Sequence, residues 1–519
     1  MKRGLLLLLL CVLLGAAIAA ATLSRRRPAA PIGSCGRQQG RLPRIRPDYT
    51  GTVIPPNIAP LNFVVQEPGT HYHVEISGLD GATIRISSRS PSIVIPIREW
   101  RELLRANRGQ QISCNVYVRS ADGSWTGFDS ITNTVAEEDI DGHLVYRLIR
   151  PLYNFWRDVG VYQRNLSNFD ESVVVHGRAI SNACVNCHTF CDGRTDKMTL
   201  GVRSAVHGGS AVIAYDGRAT ALDTKFGYTS WHPNGRLVAY SLNKVRQFFH
   251  AGGVEVRDVV DLDSDLVYYE IGSRKVKTTP GISNPDRLET YPSWSPDGRY
   301  LYFCSAPILW SERNRVPPEN YDQVRYDLMR IPYDPDSDTW GEPETLLSAE
   351  EVGKSILLPR VSPDGRFVLL CMCDYGCFPI YQPSSDLYLM NVETGEYWRL
   401  GINSDERSES WHSWSSNGRW FVFSSKRRDG LFTRSYIAYF DETGRAHKPF
   451  ILPQEDPTFY DSFLKTYTVP ELVTEPVRVS AKALAEAACS EAKLAVEMPN
   501  ISMTAKQGRQ APAQPSAAS

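Results

Sequence analysis

Over residues 58–150 the apolar positions come in short runs separated by turn-forming residues. Residues 61–65, 71–76, 83–86, 93–97, 112–118 and 144–149 alternate or are β-branched, with breaks at Asp80-Gly81 and Asp122-Gly123. That pattern predicts strands, because side chains two apart share one face of a pleated ribbon. One helical period, residues 98–107, interrupts them. About seven strands in roughly 90 residues predict a β-sandwich of immunoglobulin or fibronectin character.

Farther along, the alternation acquires a repeat. Trp231-His232-Pro233-Asn234-Gly235-Arg236, Trp294-Ser295-Pro296-Asp297-Gly298-Arg299, Val361-Ser362-Pro363-Asp364-Gly365-Arg366 and Trp414-Ser415-Ser416-Asn417-Gly418-Arg419 each precede an apolar run. Each unit reads strand, tight turn, strand: proline presets one corner, and Asp-Gly or Asn-Gly supplies the next. Residues 212–222, broken at Asp216-Gly217, are further candidate strands that could help close a ring.

These units resemble the repeats of TolB-type β-propellers over about residues 206–470. The resemblance implies a mainly β protein with a propeller of five or six blades, and says little about activity.

The remaining segments supply candidate chemistry. Lys2-Arg3 precede an apolar run over residues 5–23, followed by Arg25-Arg26-Arg27. This is the layout of a signal peptide or an uncleaved membrane anchor over residues 1–24, and it predicts export to the periplasm or cell envelope. Residues 25–57, rich in Pro, Arg and Gly, read as a linker.

Residues 151–205 are aromatic and contain Cys184-Val185-Asn186-Cys187-His188. Two cysteines two residues apart and an adjoining histidine are the signature of covalent haem c attachment, with thioethers at Cys184 and Cys187 and His188 on the iron. About 0.004 such motifs are expected by chance at this composition. The alternatives are a zinc or iron–sulfur site that adds Cys191, and a redox thiol pair. For the distal iron position the candidates are Met198, which lies ten residues beyond His188 and could return over the opposite face, then His176 and His207, or an open, water-filled site.

Other clusters carry blander readings. His71 and His73 share a strand face and are expected as a surface pair. Asp261, Asp263 and Asp265, like Asp334, Asp336 and Asp338, lack the glycine and glutamate of a calcium loop and read as turn or edge charges. Cys371, Cys373 and Cys377 read as buried thiols or a bridge. Pairing of Cys35, Cys114, Cys191, Cys304 and Cys489 is open. Within residues 471–519, a helix is expected over 479–496, then a disordered tail.

A net charge of −1 gives no electrostatic case for nucleic acid, and the serine-hydrolase elbow Gly-x-Ser-x-Gly is absent. Taken together, the segments resemble uncharacterised envelope proteins of Bacteroidetes-type bacteria that join a TolB-like propeller to a c-type cytochrome site. The resemblance implies a single-haem electron carrier with a redox or envelope partner. The competing expectations are a non-redox envelope scaffold and a haem peroxidase or sensor.

Overall fold

The computed structural model describes residues 37–151, 156–253, 255–312 and 314–499. The expected export segment lies outside them. Among the described residues no helix is long and apolar enough to cross a membrane.

Six four-stranded antiparallel sheets, one with an added short strand, form a six-bladed propeller. Their innermost strands are Thr466–Val473, Cys184–Cys191, Gly227–Trp231, Arg287–Trp294, Ser355–Val361 and Glu409–Trp414, for blades one to six. All six line one central cavity. Blade one is composite: His143–Ile149, Gly160–Asn165 and Glu171–His176 come from the N-terminal side, while Thr466–Val473 returns to pair with His143–Ile149. Chain closure therefore consists of backbone hydrogen bonds between segments more than three hundred residues apart in sequence.

This corrects the expected boundaries. The propeller begins at His143, not at 206, so the strand at 144–149 belongs to blade one rather than to the sandwich. Residues 151–205 are not a separate haem segment; their strands complete blade one and open blade two. Residues 208–215 and 218–222 are the outer strands of blade two, and ring closure falls to the C-terminal strand instead.

The repeated turns work as their residues dictate. In blade four Ser295 Oγ donates to Asp297 Oδ1 at 2.5 Å and accepts from the Tyr300 amide at 2.9 Å, and Gly298 takes φ +70°. Blades five and six repeat this with Ser362/Asp364 and Ser415/Asn417. In a left-handed turn position glycine avoids the Cβ penalty.

The N-terminal unit joins a seven-stranded sheet centred on Gln111–Arg119 to a three-stranded sheet of Ile45–Arg46, Phe63–Val65 and Ser92–Ile93. Its one helix, Ile97–Ala106, buries Trp100, Leu103 and Leu104 at helical spacing. Residues 37–57 are not a free linker: they supply three short strands, and Tyr49 and Ile54 are buried. His73 is buried with its Nδ1 2.7 Å from Ser87 Oγ, so the expected surface pair is half interior.

The unit grips blade six, where Ser416 donates from both its amide and its hydroxyl to Asp141 and Trp420 Nε1 donates to the Glu138 carbonyl. Beyond the ring, helix Ala481–Cys489 packs on blades one and two. It is shorter than expected, because residues 490–499 run extended instead, with bridges to the outer strands at Leu222 and Lys275.

Asp261, Asp263 and Asp265 are not edge charges; all three are buried on Arg257–Glu270, the third strand of blade three. Burial pushes the Asp261 carboxyl up to about 8. Burial, reinforced by the charge of Asp265, does the same to Glu289.

Two outcomes follow from this architecture. A chain ending at residue 465, or one beginning at 206, lacks strands that blade one or two needs, and is expected to lose cooperative thermal unfolding and to aggregate on size exclusion. A monomer with the full-length melting temperature would contradict the closure described. The second outcome concerns pH. Folded Asp261 and Glu289 hold protons that the unfolded chain releases near pH 4, so their stability contribution is full below that and is lost as pH rises through about 8. Melting temperature should therefore fall between pH 5 and 8.5. Glu289→Gln should flatten the slope, with roughly 1.4 kcal/mol at stake per unit of pKa displacement.

Candidate functional site

Every innermost strand carries the same irregularity. Pairing slips by a bulge at Asn186/Thr189, Gly227/Ser230, Thr290/Ser293, Leu357/Arg360 and Ser410/Ser413, and likewise where Thr466–Val473 meets Val145/Arg147. At each slip one non-glycine residue takes a left-handed φ near +50°: Cys187, Tyr228, Tyr291, Leu358, Trp411 and Val469. Such a residue costs about 1 kcal/mol, so a sixfold repetition marks a requirement of the ring. The bulge turns the strand so that the second residue after it faces the axis.

Those following residues form a ring of equivalent positions: Thr189, Ser230, Ser293, Arg360, Ser413 and Glu471. All six line an axial funnel of about 360 Å³ on the side of the repeated turns, with Trp231, Trp294 and Trp414 around them. Three ring side chains stitch neighbouring blades by accepting a backbone N–H. Ser230 Oγ accepts from Trp294 at 3.1 Å, Ser413 Oγ from Leu472 at 3.3 Å, and Glu471 Oε1 from Phe190 at 3.1 Å. Thr189 joins a hydroxyl cluster with Thr199 and Thr229. Burial raises the Glu471 carboxyl to about 7 against the opposing pull of Arg360.

The other end of the axis narrows to a chamber of about 50 Å³ that includes Arg147, Asn186, Cys187, His188, Tyr228, Tyr291 and Trp411 in its walls. Next to it, blade three extends its hairpin of Leu237–Phe249 and Arg257–Glu270. Arg257, buried near the tip, donates to Tyr381 Oη at 2.6 Å and to the Pro151 carbonyl. Lys426 pairs with Glu255 on the same hairpin. Tyr381 stacks on Phe378, itself a wall of the chamber.

The motif that drew attention in the sequence is thus an innermost strand. Cys184 and Cys187 both lie in the field of Arg203, and Cys191 is placed apart from them. Cys184 Sγ lies 3.6 Å from Arg203 Nη2, Cys187 occupies the bulge and faces the chamber, and Cys191 packs toward blade three with its sulfur 3.7 Å from the His232 carbonyl. At roughly 3.3 Å per residue, the extended strand carries Cys191 away from the other two thiols.

His188 is fully buried, neither ring nitrogen makes a hydrogen bond of full geometry although the Val469 and Val145 backbones lie close enough to act on it, and burial depresses its pKa to about 3, so it is a neutral imidazole. The chamber has room for water beside it. Met198 pairs opposite Phe190, is fully buried in the apolar layer shared by blades one and two, and does not line the chamber. His176 accepts from the Arg178 amide, and His207 meets Ser181 at the surface.

As arranged, these residues do not cradle a porphyrin. Pockets for ligands of drug size run to roughly 300 Å³ and more, far above the volume beside His188, and Met198 stands on the wrong side of the strand pair. Among the described residues no three His, Cys, Asp or Glu are gathered as a metal-holding group. Cys371, Cys373 and Cys377 are free and buried, as are Cys184, Cys191 and Cys304. Burial holds the Cys304, Cys371, Cys373 and Cys377 thiols above their usual range, which keeps them unreactive.

The funnel was illegible as a site in the sequence, because its members lie one per blade. The usable signal was positional: Ser293, Arg360 and Ser413 each stand one residue before the Trp or Val that opens a recognised repeat.

No protein-family model matches this chain, and no curated protein matches it. Among solved structures, TolB from Acinetobacter baumannii is similar at 14% identity and a TM-score of 0.41, over 70% of this chain and 79% of that one. An oligogalacturonate lyase in complex with manganese is similar at 13% identity and 0.35, over 59% and 73%. Prolyl oligopeptidase B from Galerina marginata is similar at 13% and 0.34; the chain spans 60% of its own length and 42% of that protein's. The propeller itself stands on the strand pairings described above.

Proposed function

We propose that this protein is an exported binding protein of the cell envelope, in which the propeller presents its axial funnel to a ligand and the N-terminal sandwich is a rigidly attached accessory domain. The basic and apolar N-terminus supports export. The observation that carries the binding role is the funnel. It is about 360 Å³, within the usual range for ligand pockets, and combines indole walls with hydroxyls, one guanidinium and two carboxyls, Asp192 and Glu471. Apolar walls with few, well-placed polar groups are the makings of a selective binding site. Haem c at Cys184 and Cys187, and with it electron transfer to a redox partner, stays outside the proposal because the strand that carries these residues is already committed to the ring.

A ligand-observed magnetic-resonance screen of small aromatic and polar fragments tests the role. Hits should compete with one another, perturb tryptophan fluorescence, and be lost in Ser293→Trp, which fills the funnel from blade four. Hits that survive that substitution with unchanged affinity would place binding elsewhere and overturn the proposal.

A further inference from the structure

The funnel floor has one member that cannot perform the structural task of its position. The side chains of Ser230, Ser413 and Glu471 accept a backbone N–H from the next blade, which holds adjoining innermost strands together. A guanidinium has donors and no acceptor, so Arg360 cannot do this. At its junction the backbone compensates: the Arg360 carbonyl accepts Trp414 Nε1 at 3.0 Å, leaving the side chain released from blade stitching. Among the described residues the Arg360 guanidinium has no ion pair within 4 Å; Glu471, two blades away around the ring, acts on it only through its charge. Half-buried and lining both the funnel and the chamber, Arg360 is partly stripped of water, and its guanidinium has no fixed partner among the described residues. That is an expensive arrangement unless an anion completes it.

Resting on the binding role above, we propose that Arg360 is the anchor for a carboxylate, so that the funnel selects monoanionic carboxylic acids with an apolar body. A planar carboxylate matches the guanidinium fork with two parallel hydrogen bonds. Ser293 and Ser413 flank Arg360 in the ring as additional hydroxyls, and the indoles of Trp294 and Trp414 give an apolar body its wall. Glu471 sets the charge limit. As a carboxyl on the same floor, with Asp192 also lining the funnel, it opposes a second negative charge, which disfavours phosphate dianions relative to carboxylates.

The probes are 3-phenylpropionate and the peptide acetyl-Ala-Ala-Phe as its free acid, each against its neutral amide, titrated by calorimetry into the full-length protein at pH 7.5. The expected result is at least tenfold weaker binding of the amides, and a loss of at least tenfold for the acid in Arg360→Gln. The small acid and the peptide acid distinguish a free metabolite from a chain terminus as the source of the carboxylate. Should Arg360→Gln fail to fold, Glu471→Gln decides: it keeps an acceptor for the Phe190 amide, removes the competing charge, and should tighten the acid severalfold while leaving the amide unchanged. Equal binding of acid and amide, with funnel fragments still found, would overturn the carboxylate assignment and leave the binding role standing. Failure of both acids to bind would overturn the assignment as well, and loss of the fragments too would remove the role beneath it.

Discussion

The structure depends on the bulge that each blade places in its innermost strand. Six non-glycine residues are held at left-handed φ, a collective cost of several kcal/mol at about 1 kcal/mol each. What the distortion provides is a change of facing within one strand. The left-handed residues and those directly after them meet the narrow chamber, the second residues after them meet the funnel, and the backbone amides that follow are brought within reach of the neighbouring blade. Ser230 to Trp294, Ser413 to Leu472 and Glu471 to Phe190 are the visible result. The axis is thus polar on its floor and aromatic on its walls because the bulge makes it so.

Seen this way, the Cys-x-x-Cys-His run has an ordinary structural reading. Cys187 holds the place that tyrosine, leucine, tryptophan or valine holds in other blades, and His188 the place of Thr229, Pro292, Pro359, His412 and Pro470. His412 is a useful parallel. It too is a buried histidine directly after the left-handed residue, and burial lowers it to about 3, but its nitrogens reach the Leu369 carbonyl and the Cys371 sulfur. Two of six blades therefore put a neutral imidazole at this point of the strand. In blade two it faces the chamber, with the Val469 and Val145 backbones near it but no hydrogen bond of full geometry.

Much of the fold was legible because it is written in local turn chemistry. Proline, Asp-Gly and Asn-Gly at the four recognised repeats identified blades three to six, and helical spacing located Ile97–Ala106 within a residue or so. Blades one and two were missed for physical reasons. Blade two turns through Asp192-Gly193 alone, without the Trp and Pro of the repeat, and blade one has no such turn because its innermost strand arrives from the far end of the chain. The site was less legible still. Spacing in sequence suggested that Cys184 and Cys187 share one haem edge, with Cys191 joining only in a zinc or cluster site, whereas the extended strand carries Cys191 toward blade three. The residues that do converge are contributed one per blade, and only the closed ring reveals that Arg360 stands among hydrogen-bond acceptors.

The central claim is that residues 184–191 are an intact β-strand of a closed ring, with free thiols. Alkylation of the full-length protein, expressed in a host competent for export and cytochrome maturation and read by peptide mass spectrometry, tests it most directly. The account predicts that Cys184 and Cys191 resist the reagent in the native protein, and that Cys184, Cys187 and Cys191 are all alkylated to completion once denaturant opens the ring. Peptides in which Cys184 and Cys187 refuse the reagent after full unfolding, and carry the added mass of a covalent porphyrin, would contradict it.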